Sequence, residues 1–163
     1  MGWTAPRTWV ATNVLTAAQL NTDVRDNLSW LGTRKGFKIR RAATQSITTA
    51  TTTAVSFDTE DSDTDAFGAV TATTYTIPTG LDGVYGITAQ VTFSTSATGT
   101  QPFMRIIAGG ISYDSSVALA TGIGSNSIIV PLAATNTIGV SVFQNSGGSI
   151  NVTATLWATW LFR

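Results

Sequence analysis

The sequence predicts a mainly β protein, an antiparallel sandwich preceded by one short amphipathic helix. From residue 37 onward apolar and polar residues alternate, as they do in strands with one buried face. Turn residues interrupt this alternation about every 8–12 residues, a spacing typical of antiparallel sandwiches. Before residue 32, apolar residues recur every three or four positions, which is the period of a helix. We therefore divide the chain into an N-terminal segment, 1–36, and a sandwich, 37–163.

The helix is predicted over residues 16–31. Thr16 and Gln19 have the spacing of a capping box, in which each side chain accepts a hydrogen bond from the other residue's backbone N–H. Gly32 provides a C-terminal stop. The larger apolar residues form one helix stripe, made of Leu20, Val24, Leu28 and Leu31. A single apolar stripe must be covered, either by the chain's own sandwich or by another chain.

The clearest strand is 84–93, where every second residue is apolar. Further strands are predicted at 103–108, 111–119, 126–132, 137–145 and 150–162. In the last strand Trp160 and Phe162 continue the core-facing side, whereas Trp157 and Leu161 lie on the opposite side. A strand that is apolar on both faces must be covered on both. We predict a subunit interface at Trp157 and Leu161, with the N-terminal leader as the alternative cover.

Composition excludes several classes of function. Only 11% of the residues are charged, against about 25% in an average soluble protein. The chain has no Cys and no His, which removes thiol catalysis, disulfides, Cys-type zinc sites and the usual general base. The net charge is zero, so no global field attracts nucleic acid. No apolar run approaches the roughly 18 residues of a membrane span. We expect no enzymatic activity, no cofactor, and neither a nucleic-acid nor a membrane partner.

The basic residues are concentrated in one short run. Five of the nine lie in 34–41, where Lys38 and Arg40 alternate with Phe37 and Ile39. This alternation indicates an edge or first strand whose outer face is charged, a feature that discourages unwanted strand pairing. Docking of a partner and binding of RNA or DNA are the alternatives.

The acidic residues are concentrated in a second run. Five of the nine lie in 58–65, and Asp61, Asp63 and Asp65 reproduce the D-x-D-x-D opening of a calcium loop. The sixth and twelfth positions are alanines, where such a loop requires Gly and Glu. We therefore predict a solvated connecting loop. A site for a hard cation and contact with a basic patch on a neighbouring molecule are the alternatives.

The leader before the helix is too short to fold alone and carries two tryptophans. We interpret Trp3, Pro6, Arg7 and Trp9 as an anchor that inserts aromatic side chains into a partner, because buried Trp is a typical hot-spot residue. The alternative is that the tryptophans pack on the protein's own helix or sandwich.

The N-terminal pattern W-x-x-P, followed by TAAQLNT-x-x-RDNL over residues 16–28, resembles the opening of small virion proteins of tailed bacteriophages. Much of 37–163 resembles the C1q/TNF-like jelly roll. The stretches that carry this second resemblance are 55–58, 65–68, 75–78, 83–85 and 140–147. Thr135-Asn136 stands where that family commonly has Gly-Asp. Membership would imply a compact homotrimer around a threefold axis, with its chain termini close together.

These resemblances imply a structural protein of the virion, assembled in the host cytoplasm and exposed on the particle exterior. We expect a homotrimer that decorates the capsid or forms a head fibre, with the major capsid protein as its partner. The helix stripe would then pack in a three-helix bundle or face the capsid. The alternative is a minor tail or receptor-binding protein whose outward loops bind host surface glycan, with Tyr75 and Tyr113 as aromatic contacts. A glycan-cleaving enzyme is the third and least supported hypothesis.

Overall fold

The computed structural model describes residues 5, 7–10, 12, 14–94, 100–117 and 122–163, and only the backbone of residues 100 and 101. The chain divides into two compact units, Met1–Arg34 and Lys35–Arg163. The first contains the helix and the second contains every strand.

The N-terminal unit is built on one continuous helical segment with an unusual middle. It comprises α1 (Ala17–Leu20), a π-helical segment (Asn21–Asp26) and α2 (Asn27–Gly32). Thr16 and Gln19 form the predicted capping box: the Gln19 N–H donates to Thr16 Oγ1, and the Thr16 N–H donates to Gln19 Oε1 over 2.9 Å. The sequence pattern predicted the helix and its start, but not the π-helical turns.

The second unit is an antiparallel sandwich of two sheets. Its strands are β1 (Gly36–Ile47), β2 (Thr53–Ala54), β3 (Thr59–Asp63), β4 (Thr74–Thr76), β5 (Gly83–Phe93), β6 (Thr100–Ala108), β7 (Ile111–Ser116), β8 (Ile123–Leu132), β9 (Thr137–Asn145) and β10 (Ile150–Phe162). The first sheet, sheet A, has the order β3-β1-β10-β5-β8. The second, sheet B, has the order β2-β9-β6-β7, and β4 also pairs with β9.

The core lies between the two sheets and follows the predicted alternation. In β5 every second residue from Tyr85 to Phe93 is buried, and in β10 the same is true from Val152 to Ala158. The facing strands of sheet B contribute Met104, Ile106 and their neighbours on β9, which are also buried. Strand β1 must pass very close to β10 at Gly36, where an added Cβ would lie 2.1 Å from the carbonyl oxygen of Ala158.

The end of β10 departs from the predicted alternation. The register between β10 and β5 shifts between Trp160 and Phe162, so that Phe162 pairs with Val84 instead of continuing the core-facing row. Phe162 is 57% exposed, and the prediction that it faces the core is therefore wrong. The cause is one extra residue in β10, a bulge, which moves the following side chain to the other face of the sheet.

The acidic run is not a free connecting loop. Residues 59–63 form β3, which pairs with β1 through Phe37–Asp63 and Arg40–Thr59. Strand β1 is consequently the first strand of the sandwich but not the edge of sheet A, because β3 lies outside it. Residues 58–63 include four acidic residues and no apolar residue. Hydrophobic periodicity therefore could not predict this strand.

Candidate functional site

The helix stripe is exposed along its whole length. Leu20, Val24, Leu28 and Leu31 are 46%, 48%, 62% and 58% exposed. One member of the stripe, Val24, lies in the π-helical segment, and the others lie in the flanking α-helical turns. This apolar ridge is available to another molecule.

Arg7 of the leader contacts the helix within the N-terminal unit. The Arg7 guanidinium pairs with the Asp23 carboxylate, whose side chain is only 6% exposed, and it also lies 5.4 Å from the centre of the Trp9 ring. Trp9 is 42% exposed. Trp3 and Pro6, the other predicted anchor residues, lie outside the described residues. Arg7 therefore has a structural role in this unit, while the anchoring role of the leader stays a prediction.

A second exposed apolar surface lies on the outer face of sheet A. Trp157 pairs in register with Lys38 and Thr88 on that face, and Leu161 lies over Gly86, which has no side chain in its way. The structure adds two residues to these predicted ones. Ile129, 74% exposed, pairs with Gly86, and Phe162 reaches the same face through the bulge in β10. We call Ile129, Trp157, Leu161 and Phe162 the apolar patch.

The basic and acidic runs pair with each other across β1 and β3 in a charge clamp, made of Lys38, Arg40 and Arg41 with Asp58 and Asp61. Asp61 accepts hydrogen bonds from Arg40 Nε at 2.9 and 3.0 Å, and Lys38 Nζ lies 3.3 Å away. Arg41 lies 3.4 Å from Asp58, although its Nε is buried without a hydrogen-bond partner. Each member of the charge clamp therefore has a charged partner within the chain.

Both carboxylates of the charge clamp have lowered pKa values. For Asp61 the main cause is the hydrogen bond from Arg40, which holds its pKa below the ordinary value. Burial raises the pKa of Asp58, but hydrogen bonds from the N–H groups of Ala42 and Ala43 outweigh it and lower the pKa overall. Both groups are therefore ionised at neutral pH, and the clamp contains three cations and two carboxylates.

The three candidate calcium ligands are engaged separately. Asp61 belongs to the charge clamp, Asp65 pairs with Lys35 at 3.1 Å, and Asp63 accepts hydrogen bonds from the N–H groups of Asp65 and Gly68. Among the residues that the structure describes, no group of three His, Cys, Asp or Glu side chains is placed to hold a metal ion. The described helices include none that is long and apolar enough to cross a membrane.

One predicted glycan contact is placed in the core. Tyr75 is fully buried; its hydroxyl donates to the carbonyl of Ala69 at 3.0 Å, and burial raises its pKa to about 12. It therefore cannot contact a ligand, and that prediction is wrong. Tyr113 is half-buried. Alternation along a strand does not show which of its two faces will be buried. The sequence alone therefore could not place Tyr75 in the core.

Comparison with known proteins identifies the fold. No family model and no curated protein matches the chain. Solved structures do match, including the globular domain of zebrafish complement 1qA protein, with a TM-score of 0.64 and 14% identity over 79% of this chain and 98% of that one. The PRD1 vertex protein P5 has a TM-score of 0.61 and 18% identity, covering 80% and 99%. Murine APRIL has a TM-score of 0.52 and 10% identity, covering 75% and 98%.

At these identities the likeness defines the fold alone. The second unit is an antiparallel jelly-roll sandwich of the C1q/TNF-like kind, joined to one short N-terminal helical segment. The fold prediction is thereby confirmed.

Proposed function

We propose that this chain is a structural protein of a bacteriophage virion, a homotrimer on the particle surface that decorates the capsid or forms a head fibre. The observation that carries the proposal is the apolar surface that one chain leaves uncovered. Of the fourteen large apolar side chains exposed among the described residues, eight belong to the N-terminal unit and four form the apolar patch. Exposed apolar surface on this scale is typical of protein interfaces.

The apolar patch is the proposed contact between subunits. Its four members lie on one face of sheet A, and Trp and Phe are the residue types enriched in the cores of interfaces. The resemblance to the C1q/TNF-like family supports a closed ring of three subunits. A ring closes only if each subunit contacts its neighbour in the same way, which limits growth to a defined assembly.

The N-terminal unit is the proposed attachment segment. In a trimer the three helix stripes would pack against each other, and the three leaders would face one symmetric site on the particle, most simply the major capsid protein. Arg7 and Asp23 would fix each leader to its helix. Linked binding sites raise the effective affinity well above that of one leader, so weak individual anchors suffice.

Two likenesses support a virion location. One is the resemblance of the N-terminal pattern to virion proteins of tailed phages, and the other is the fold shared with the PRD1 vertex protein P5. We propose further that the protein is not an enzyme and acts by bridging and stabilising. The chain has no His and no Cys, and four of the five carboxylates of its acidic run, those of Asp58, Asp61, Asp63 and Asp65, are engaged in ion pairs and hydrogen bonds.

Light scattering after size-exclusion chromatography tests the trimer. The full chain should elute with three times its monomer mass, and replacing Trp157 and Leu161 together by Ser should give a monomer. Ile111→Ser is the matched control, because Ile111 is 58% exposed but lies on sheet B. A trimer that survives the double replacement would show that the subunits meet elsewhere.

Deletion of residues 1–32 tests attachment. The truncated protein should remain a soluble trimer and fail to bind capsids; a truncated protein that still decorates particles would refute the anchor.

Copy number distinguishes capsid decoration from the minor-tail alternative. Quantified virion protein bands should correspond to tens or hundreds of copies per particle for decoration, and to a handful for a tail protein.

A further inference from the structure

We propose that a recess on the outer face of sheet A binds a neutral, hydroxyl-rich ligand, a saccharide of one or two rings. The recess has a volume of about 310 Å³, within the range of about 300–1,000 Å³ typical of small-ligand sites. Its wall is formed by Arg40 and Arg41 on β1, and its floor by polar side chains of β5 and β10. The floor residues are Gln90, Thr92, Thr153 and Thr155.

The register of sheet A places these side chains together. Thr155 pairs with Arg40 on one side and with Gln90 on the other, which forms one cross-strand row. Thr153 pairs with Thr92 in the next row on the same face. Side chains of directly paired residues lie close together. The recess is therefore a two-row array of hydrogen-bonding groups on a rigid sheet.

The floor groups are not used by the protein itself. Within the described part of the chain, none of the four floor side chains makes a hydrogen bond to another protein group. Thr88 and Ser127, on the same face outside the recess, instead pair with each other at 2.9 Å. Hydroxyl and amide groups left free in a concave site can exchange their water for the hydroxyls of a ligand.

The charges of the wall favour a neutral ligand over an anion. Arg40 is paired with Asp61 and Arg41 with Asp58, so neither arginine of the wall presents an unpaired charge to the recess. A saccharide supplies acceptors and donors in a ring of this size without adding charge.

Saturation-transfer NMR and calorimetry on the full chain test this proposal. The probes are the methyl glycosides of glucose, galactose, mannose and N-acetylglucosamine, with sodium sulfate as the anionic probe. We expect at least one glycoside to bind, and Thr155→Val to weaken it about tenfold through loss of one hydrogen bond. Thr76→Val, the same exchange at an exposed position of β4, should leave binding unchanged.

Three results would overturn the proposal: no glycoside binds, sulfate binds in place of the glycosides, or Thr155→Val has no effect. The recess adjoins the proposed subunit contact at Trp157 and must stay open beside it. Light scattering on the same sample separates the two proposals. A trimer without glycoside binding would refute the recess alone, whereas a monomer that binds glycoside would refute the trimer alone.

Discussion

Strand β5 and the N-terminal helix each present one apolar stripe, but the two stripes lie in opposite environments. Tyr85, Ile87, Ala89 and Val91 of β5 are at most 1% exposed, whereas the helix stripe is 46–62% exposed. The β5 stripe faces sheet B of the same chain, so its cover is encoded within one molecule. The helix stripe has an equally regular pattern without that cover. A regular amphipathic pattern therefore predicts that one face of an element must be buried, but it does not predict which chain or element covers that face.

Replacing Leu156 by Ala should produce the largest loss of stability. Leu156 is fully buried in β10, between Ile39 of β1 and Ala89 of β5. Truncation leaves a cavity in a packed core and should lower the free energy of unfolding by about 2–5 kcal/mol, measured by denaturant titration. Leu28→Ala on the helix stripe, which belongs to the other unit, is the matched control and should change the unfolding free energy of the sandwich by less than about 0.5 kcal/mol. Equal effects would mean that the helix belongs to the sandwich core.

Replacing a buried polar side chain, Gln144, should produce the next largest loss of stability. Gln144 is fully buried: its Nε2 donates to the carbonyls of Ile47 and Gly148, and its Oε1 accepts from the N–H and hydroxyl of Ser146. Gln144→Leu leaves these groups unpaired and should cost about 1–3 kcal/mol. Gln90→Leu, at an exposed position of β5, should cost much less. Equal losses would indicate that the Gln144 contacts are replaced by water.

Sequence periodicity predicted the sandwich where local pattern and burial coincide. It placed the strands now seen as β5, β9 and β10, and both faces of β10 as far as Trp160. It failed where a partner strand decides the outcome. Strand β3 has no apolar residue; it pairs with β1 along the backbone, and its Asp61 forms ion pairs with Lys38 and Arg40 of β1. The bulge that turns Phe162 outward depends on the register with β5, which no single strand encodes.

The exposed apolar surfaces, like the strands, could be predicted only in part from the sequence. The helix stripe follows from the helical period of the sequence, and two of the four residues of the apolar patch, Trp157 and Leu161, follow from the alternation along β10. Ile129 was missed because β8 has short apolar runs on both faces, and one sequence does not tell which face is inner. The floor of the recess, Gln90 with three threonines, resembles any polar strand face. Only the register of β5 against β10 places the four side chains in one concavity.

Thr135→Gly should stabilise the sandwich. Thr135 has a φ of 71°, a left-handed conformation that is strained for a β-branched residue. Relief of this strain exceeds the extra chain entropy of Gly, so we expect a gain of about 1 kcal/mol in the free energy of unfolding. Thr76→Gly, in the regular strand β4, should be destabilising by the same measurement. A loss at Thr135 would mean that its side chain stabilises the turn.

The smallest effect on stability should come from protonating the carboxylates of the charge clamp, and it should be confined to β3. The folded-state pKa values of Asp58 and Asp61 are lowered, so their stabilisation is fully present above the unfolded value of about 3.9 and is lost as the pH falls through the lower folded values. The amide protection factors of residues 59–63, which compare their exchange rates with those of the unfolded chain at the same pH, should fall over that range, and also in high salt, while β5 remains protected. Asp61→Asn should remove much of both responses. Exchange that accelerates equally in β3 and β5 would mean that the clamp is not a local feature, and that its charges stabilise the sandwich as a whole.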